Sequence, residues 1–88
     1  MPVLDGMEPP WVAVAFGWRL REVRAERGVS RYGLARRTGL HPTAVGRFER
    51  GVREPRVSTV LRLARGLGVE PGVLLDGLAV KPGQWGEA

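Results

Sequence analysis

Apolar residues recur at three- and four-residue spacing near the start of the chain. They are Val12, Phe16, Leu20 and Val23. This spacing places them on one face of an α-helix. The helix is expected to begin at Pro9-Pro10, because proline is tolerated in the first turn. It is expected to end at Gly28, a residue type that favours the left-handed conformation after a helix.

Two shorter helices follow, joined by a tight turn. Ser30 is a favourable N-cap for a second helix over residues 31–38, and Gly39 ends it. His41 then stands at the cap position of a third helix, whose first residue is Pro42. Helix, glycine-containing turn and helix is the layout of a helix-turn-helix motif.

The remaining apolar positions predict two more helices. Ser58 is expected to cap a fourth helix that ends at Gly68, and Pro71 starts a short fifth helix that stops near Gly77. The sequence therefore predicts an all-α fold, a compact five-helix bundle with one shared core. The predicted core is Phe16, Leu20, Val23, Leu34, Ala35, Leu40, Val45, Phe48, Val60, Leu63, Ala64, Leu67, Val69 and Leu74.

This division leaves two short ends outside the bundle. Residues 1–8 are expected to form a flexible lead-in, and residues 79–88 a tail in which Trp85 is the one residue suited to docking. The helical domain then spans 9–78, with the helix-turn-helix at about 30–51.

Composition excludes several classes of site. The 88 residues suffice for one small domain, and the absence of cysteine removes disulfides and thiolate chemistry. With His41 as the single histidine, no multi-histidine metal site is expected. No apolar run approaches the roughly 20 residues that cross a bilayer, and no signal-peptide pattern opens the chain. We expect a cytoplasmic protein without a membrane partner, metal or cofactor.

The positive charge is concentrated in the middle of the chain. Residues 19–65 hold thirteen arginines against four glutamates, a net +9, whereas the whole chain carries +5. Because lysine is nearly absent, the preference for arginine is also explained by compositional bias. A positive centre fits a surface that meets phosphates, and it equally fits an ordinary solvated surface.

A bare helix-turn-helix pattern has low specificity, but this sequence carries a longer series of motif residues in order. They are Leu20-Arg21-x-x-Arg24, Gly28-Val29-Ser30, Leu34-Ala35 with Gly39, Val45 with Phe48-Glu49-x-Gly51, Pro55, and Leu63-Ala64-x-x-Leu67-Gly68-Val69. In these residues and their spacing, from about Phe16 to Leu75, the sequence resembles the lambda-repressor/Cro-type helix-turn-helix DNA-binding family.

The resemblance implies that the helix at 42–50 enters the major groove of double-stranded DNA. The positions that would reach base edges are Pro42, Thr43, Ala44 and Arg47. Arg47 is suited to bidentate bonding with guanine. Since this helix contains neither Gln nor Asn, bidentate reading of adenine is not expected, and DNA shape has a larger share in recognition.

The resemblance also implies contacts that position the protein on DNA. The expected phosphate contacts are Arg31, His41, Arg50 and Arg53, and an ion pair between Arg24 and Glu49 is expected to join the first and third helices. Four other arginines are more readily interpreted as a solvated face than as DNA contacts. They are Arg36, Arg37, Arg62 and Arg65.

A second apolar stripe on the first helix is not explained by the core. It consists of Trp11, Val14 and Trp18. Either the chain's own ends, including Trp85, cover this stripe, or it binds a second copy or a protein partner.

The sequence features are compatible with three classes of function. The first is a sequence-specific DNA-binding transcriptional regulator that acts as a homodimer on a two-fold site. The second is an antitoxin or adaptor that holds a protein partner through the Trp11/Trp18 surface. The third is an enzyme, which is disfavoured because no catalytic nucleophile–base pair is apparent.

Overall fold

Five helices shape the part of the chain that the computed structural model describes, residues 10–78. They are α1 (Pro10–Glu26), α2 (Arg31–Thr38), α3 (Pro42–Glu49), α4 (Val57–Leu67) and α5 (Pro71–Leu74). Within that range there is no strand, so the predicted all-α five-helix fold is confirmed. The predicted lead-in at 1–8 and the tail at 79–88, with Trp85, lie outside the described residues.

The predicted caps of the helix-turn-helix are confirmed. The Ser30 hydroxyl accepts a hydrogen bond from the Gly33 amide at 2.9 Å. The His41 Nδ1 accepts one from the Thr43 amide at 3.1 Å. Gly39 has a φ of 75°, a left-handed conformation that side chains rarely adopt, and its amide donates back to Ala35. These local bonds fix the turn between α2 and α3.

The predicted start of α4 was wrong. The helix begins at Val57, and the N-cap is Arg56, whose side chain makes no capping hydrogen bond. Ser58 lies inside the first turn instead. Because Arg56, Val57 and Ser58 are all exposed, water can satisfy the first amide groups of the helix, and no side-chain cap is needed to define its start.

The core draws on all five helices. Its buried members are Phe16, Leu20, Val23, Val29, Leu34, Ala35, Val45, Phe48, Val60, Leu63, Ala64, Leu67 and Leu74. Of the predicted core residues, Leu40 and Val69 are only partly buried, since both lie in turns at the edge of the core. Val29, which the prediction omitted, is buried between α1 and α2 in the chain.

Arg19 joins α5 to α1. Its Nε donates to the Val73 carbonyl at 2.7 Å, and its Nη1 donates to Glu22 at 2.9 Å. The hydrogen bond to the Glu22 carboxylate raises the pKa of the Arg19 guanidinium further above its usual value. The short α5 is therefore held by a backbone contact as well as by buried Leu74.

Gly17 allows α1 and α3 to cross at close range. A Cβ atom at this position would lie 2.5 Å from the Phe48 carbonyl oxygen and 2.6 Å from that of Glu49. Both are backbone atoms, which cannot rotate away as a side chain can. The closeness of the two helices, and hence the placement of α3, requires glycine at this position.

Gly17→Ala is expected to lower the free energy of unfolding by about 1–3 kcal/mol, the usual cost of overpacking a tight site. Urea unfolding followed by circular dichroism measures the change. The matched control is Gly72→Ala, because a Cβ at Gly72 meets no atom within 4 Å. Equal stability of the two variants would show that α1 and α3 separate without cost.

Candidate nucleic-acid interface

The start of α2 and one side of residues 42–50 line a shallow cleft of about 230 Å³. Its lining residues are Arg31, Tyr32, Pro42, Thr43, Gly46 and Arg50. Arg31 and Pro42 are the first residues of their helices, so both helix starts, with their positive partial charge, face the same surface. This surface is suited to anionic ligands.

The four residues predicted to reach base edges differ in exposure. Thr43 and Arg47 are exposed and, four residues apart on α3, lie on the same side of the helix. Pro42 and Ala44 are half-buried, and Ala44 packs against the core. The opposite side of α3 is buried through Val45, Phe48 and Glu49. Thr43 and Arg47 are thus the most accessible of the four.

Gly46 brings two of the predicted phosphate ligands together. A Cβ at Gly46 would lie 3.1 Å from the Arg50 Nη1 and 3.6 Å from the Arg31 Nη1. Two guanidinium groups therefore approach one point on the surface of α3. The sequence pattern placed Gly46 only near the contact residues, because a buried glycine that makes room for two arginines leaves no periodic signal.

The other two predicted phosphate ligands are exposed as well. His41 is exposed, and its Nδ1 accepts a hydrogen bond from the Thr43 amide. Arg53 is exposed in the loop between α3 and α4. Arg31, His41, Arg50 and Arg53 thus all present exposed side chains, from three different segments of the chain.

The Arg24 and Glu49 side chains meet in a bidentate ion pair. The Arg24 Nε lies 2.5 Å from Glu49 Oε2, and its Nη2 donates to Oε1 at 3.1 Å. The third guanidinium nitrogen, Nη1, donates to the Val29 carbonyl at 3.1 Å. The Glu49 side chain is only 3% exposed. One arginine therefore connects the end of α3 to α1 and to the turn that precedes α2.

The Trp11/Val14/Trp18 stripe forms an exposed surface on α1, here named the aromatic surface. Trp18 is 65% exposed, and the Arg21 guanidinium lies 5.2 Å from the centre of its ring. Val14 lies against Gly51, where a Cβ would be 2.8 Å from the Val14 Cα. The aromatic surface is therefore adjacent to the carboxyl-terminal end of α3.

Residues 10–78 contain neither a cluster of metal ligands nor a membrane-spanning helix. No group of three or more His, Asp or Glu side chains there could hold a metal ion. None of the helices in that range combines the length and the hydropathy that spanning a membrane requires.

Comparisons with known proteins agree with this geometry. Residues 15–78 match the family model described as a helix-turn-helix domain. Control protein C.BamHI of Bacillus amyloliquefaciens is 32% identical over 66 residues, which cover 74% of this chain and 82% of that protein. The restriction-modification controller protein C.AhdI of Aeromonas hydrophila has a similar structure, with a TM-score of 0.68 and 44% identity over 70% of this chain and 94% of that one.

A third similar structure contains DNA. It is the tetramer of the restriction-modification controller protein C.Esp1396I in complex with its natural 35 base-pair operator. It has a TM-score of 0.70 and covers 77% of this chain and 90% of that one. At 22% identity this likeness shows the shared fold alone.

Arg24→Met is expected to lower the free energy of unfolding by about 3–5 kcal/mol, because it leaves the Glu49 carboxylate buried without a partner. Arg21→Met removes the same charge from the exposed side of α1 and is expected to cost less than about 1 kcal/mol. Chemical unfolding of both variants measures the difference. Similar losses in both would mean that Glu49 does not depend on Arg24.

Proposed function

Because the chain belongs to the helix-turn-helix family, we propose that it is a transcriptional regulator that binds double-stranded DNA sequence-specifically, with α3 in the major groove. The observation that supports this proposal most is that α3 has one buried side and one exposed side. Its buried side packs on the core and is fixed to α1, while Thr43 and Arg47 are exposed on the other side. A rigid helix with free polar side chains is what reading base edges requires.

Arg47 is the residue that we propose reads sequence directly. Its exposed guanidinium can donate to both O6 and N7 of guanine, the most common specific contact in major grooves. Thr43, one turn earlier, can bond to a base or contact a thymine methyl group. Pro42 and Ala44 have hydrocarbon side chains and can offer only apolar contact. Because both are half-buried, this contact would be at the edge of the groove.

The flanking cations would set the position of α3 along the duplex. Arg31 and Arg50, which converge over Gly46, are proposed to hold one phosphate together. His41 and Arg53 are proposed to contact phosphates on either side. Such contacts add affinity without sequence information, and they make binding depend steeply on salt.

We further propose that the protein binds DNA as a homodimer. A two-fold operator with half-sites about 34 Å apart needs two copies whose α3 helices remain uncovered. A groove of about 240 Å³, here named the apolar groove, meets this need. It is lined mainly by Val12, Phe16, Val57, Leu61 and Leu75.

The position of the apolar groove favours a second copy there over the aromatic surface. The groove is built from α1, α4, α5 and the loop before α4, so a copy seated in it leaves α2 and α3 free. Val57 and Leu61 at its rim are 77% and 50% exposed and would be buried in the dimer. A copy on the aromatic surface would instead crowd the end of α3 at Gly51.

A second candidate function is supported by the exposure of Trp18. A protein partner with an apolar contact surface could cover the aromatic surface, as an antitoxin or adaptor would require. The discriminating observation is a stable protein partner that is lost with Trp18→Glu and retained with Arg47→Ala.

For the leading function, DNA binding, we propose a cytoplasmic location and no catalytic step. The similarity to C.AhdI favours a controller-type regulator.

Arg47→Ala is expected to weaken binding to the preferred duplex about tenfold to a hundredfold and to relax the preference at one base pair, since one bidentate contact is lost. Selection of duplexes from a random pool, followed by gel-shift titration, measures both effects. Arg65→Ala, which removes the same charge from the far end of α4, is the control and should bind as the wild type does. Equal wild-type affinity for random and selected duplexes would contradict sequence-specific recognition.

Arg53→Ala is expected to weaken binding to all duplexes alike and to reduce the slope of log affinity against log salt by about one, as loss of one phosphate contact should. Titrations at several salt concentrations measure the slope. An unchanged slope would remove Arg53 from the interface.

Leu61→Glu is expected to convert the dimer to a monomer, because it places a carboxylate in the apolar groove, whereas Trp18→Glu should leave the dimer intact. Sedimentation velocity measures the change. Leu61 is half exposed, so its replacement should leave thermal unfolding of the helices nearly unchanged. The reverse pattern would assign the dimer interface to the aromatic surface.

A further inference from the structure

Four arginines converge at the carboxyl-terminal ends of α2 and α4. Arg27, Arg37, Arg62 and Arg65 line a cleft of about 680 Å³, here named the arginine cleft. Its α2 wall includes Thr38, the last residue of that helix. Arg31, which we assign to DNA, begins the same helix, about 10 Å away along the helix axis. The arginine cleft therefore lies apart from the cleft at the start of α2 and α3.

Three of the four guanidinium groups are held in place by backbone carbonyls in the last turns of helices. The Arg27 Nε donates to Leu67 at 3.0 Å, the Arg37 Nη1 to Gly66 at 3.1 Å, and the Arg62 Nη2 to Thr38 at 2.6 Å. Each arginine has five N–H donors. Most of these donors remain available for a ligand.

The charge of the cleft exceeds what helix capping explains. Two helix carboxyl-terminal ends carry about half a negative charge each, whereas four guanidinium groups carry four positive charges, which leaves a surplus of about three. In the described part of the chain, the carboxylates that pair with arginine are Glu22, Glu49 and Asp76, and their partners are Arg19 and Arg24. None of the four arginines of the cleft thus forms an ion pair with a carboxylate of residues 10–78.

We propose that the arginine cleft binds a free polyphosphate group, such as the triphosphate of a nucleotide. A polyphosphate carries several negative charges within a short length, which matches the surplus, whereas a single carboxylate would balance only part of it. Planar guanidinium groups bond phosphate oxygens in a bidentate manner. Because three of them are already held, little side-chain freedom is lost on binding.

This site would connect two helices with different roles. Arg37 belongs to α2, the first helix of the helix-turn-helix, and Arg62 and Arg65 belong to α4, the helix that carries the rim of the apolar groove. A polyphosphate bonded to all three would cross-link α2 and α4. The site does not require DNA binding, so it is tested independently of the proposed function.

The test is calorimetric titration of the full chain with inorganic triphosphate at 150 mM salt, about the physiological ionic strength. Arg65→Gln is expected to weaken binding about tenfold or more, since charged hydrogen bonds to phosphate are lost. The Arg65 side chain makes no hydrogen bond to residues 10–78, so this variant should keep the wild-type thermal unfolding curve. Arg36→Gln is the matched control: it removes an exposed arginine of α2 that does not line the cleft and should bind as the wild type does.

Four results would overturn the proposal. Absence of binding would show that the cleft holds no polyphosphate, and equal weakening by Arg65→Gln and Arg36→Gln would reduce the binding to general charge attraction. Tighter binding of poly-glutamate than of triphosphate would assign it to an acidic protein segment. Displacement of triphosphate by the preferred duplex, together with weaker duplex binding by Arg65→Gln, would assign the phosphates to DNA rather than to a free ligand.

Discussion

The ion pair between Arg24 and Glu49 fixes the position of α3, and the interface depends on that position. An eight-residue helix is too short to be stable by itself in water, so α3 must be held by its surroundings. Arg24 uses three of its nitrogens to bond Glu49 and the Val29 carbonyl. A buried ion pair contributes little net stability compared with apolar packing, but it tolerates only one geometry. It therefore selects one orientation of α3 rather than simply strengthening the bundle.

Close packing at Gly17 complements this ion pair. The ion pair joins the carboxyl-terminal end of α3 to α1. The missing side chain at Gly17 lets the backbones of α1 and α3 approach each other closely. With the inner side of α3 fixed in two ways, its outer side can consist of exposed residues that the core does not need. This division explains how a small DNA-binding regulator can present Arg47 and Thr43 without including them in the core.

Arginine has different roles at different places in this protein. Arg24 is a partly buried connector, Arg19 joins two helices, and Arg31 and Arg50 converge on an open surface. Arg27, Arg37 and Arg62 bond to helix ends around a second concavity. The planar guanidinium with several donors suits all these roles. The total charge of the protein thus does not indicate function, whereas the hydrogen-bond partners of each arginine indicate its role.

The sequence by itself determined the local features of this protein. Helix starts at Ser30 and His41 and the turn at Gly39 could be predicted because each depends on bonds between residues a few positions apart. The start of α4 was predicted wrongly for the same reason. No side chain caps this helix, so no residue in the sequence marks where it begins. Most of the core followed from helical periodicity. Only the tertiary structure decided which side chains meet across helices: the role of Gly17, the convergence of Arg31 and Arg50 over Gly46, and the arginine cleft. These contacts join residues distant in the chain, and their distances depend on how closely helices pack, which no periodicity records.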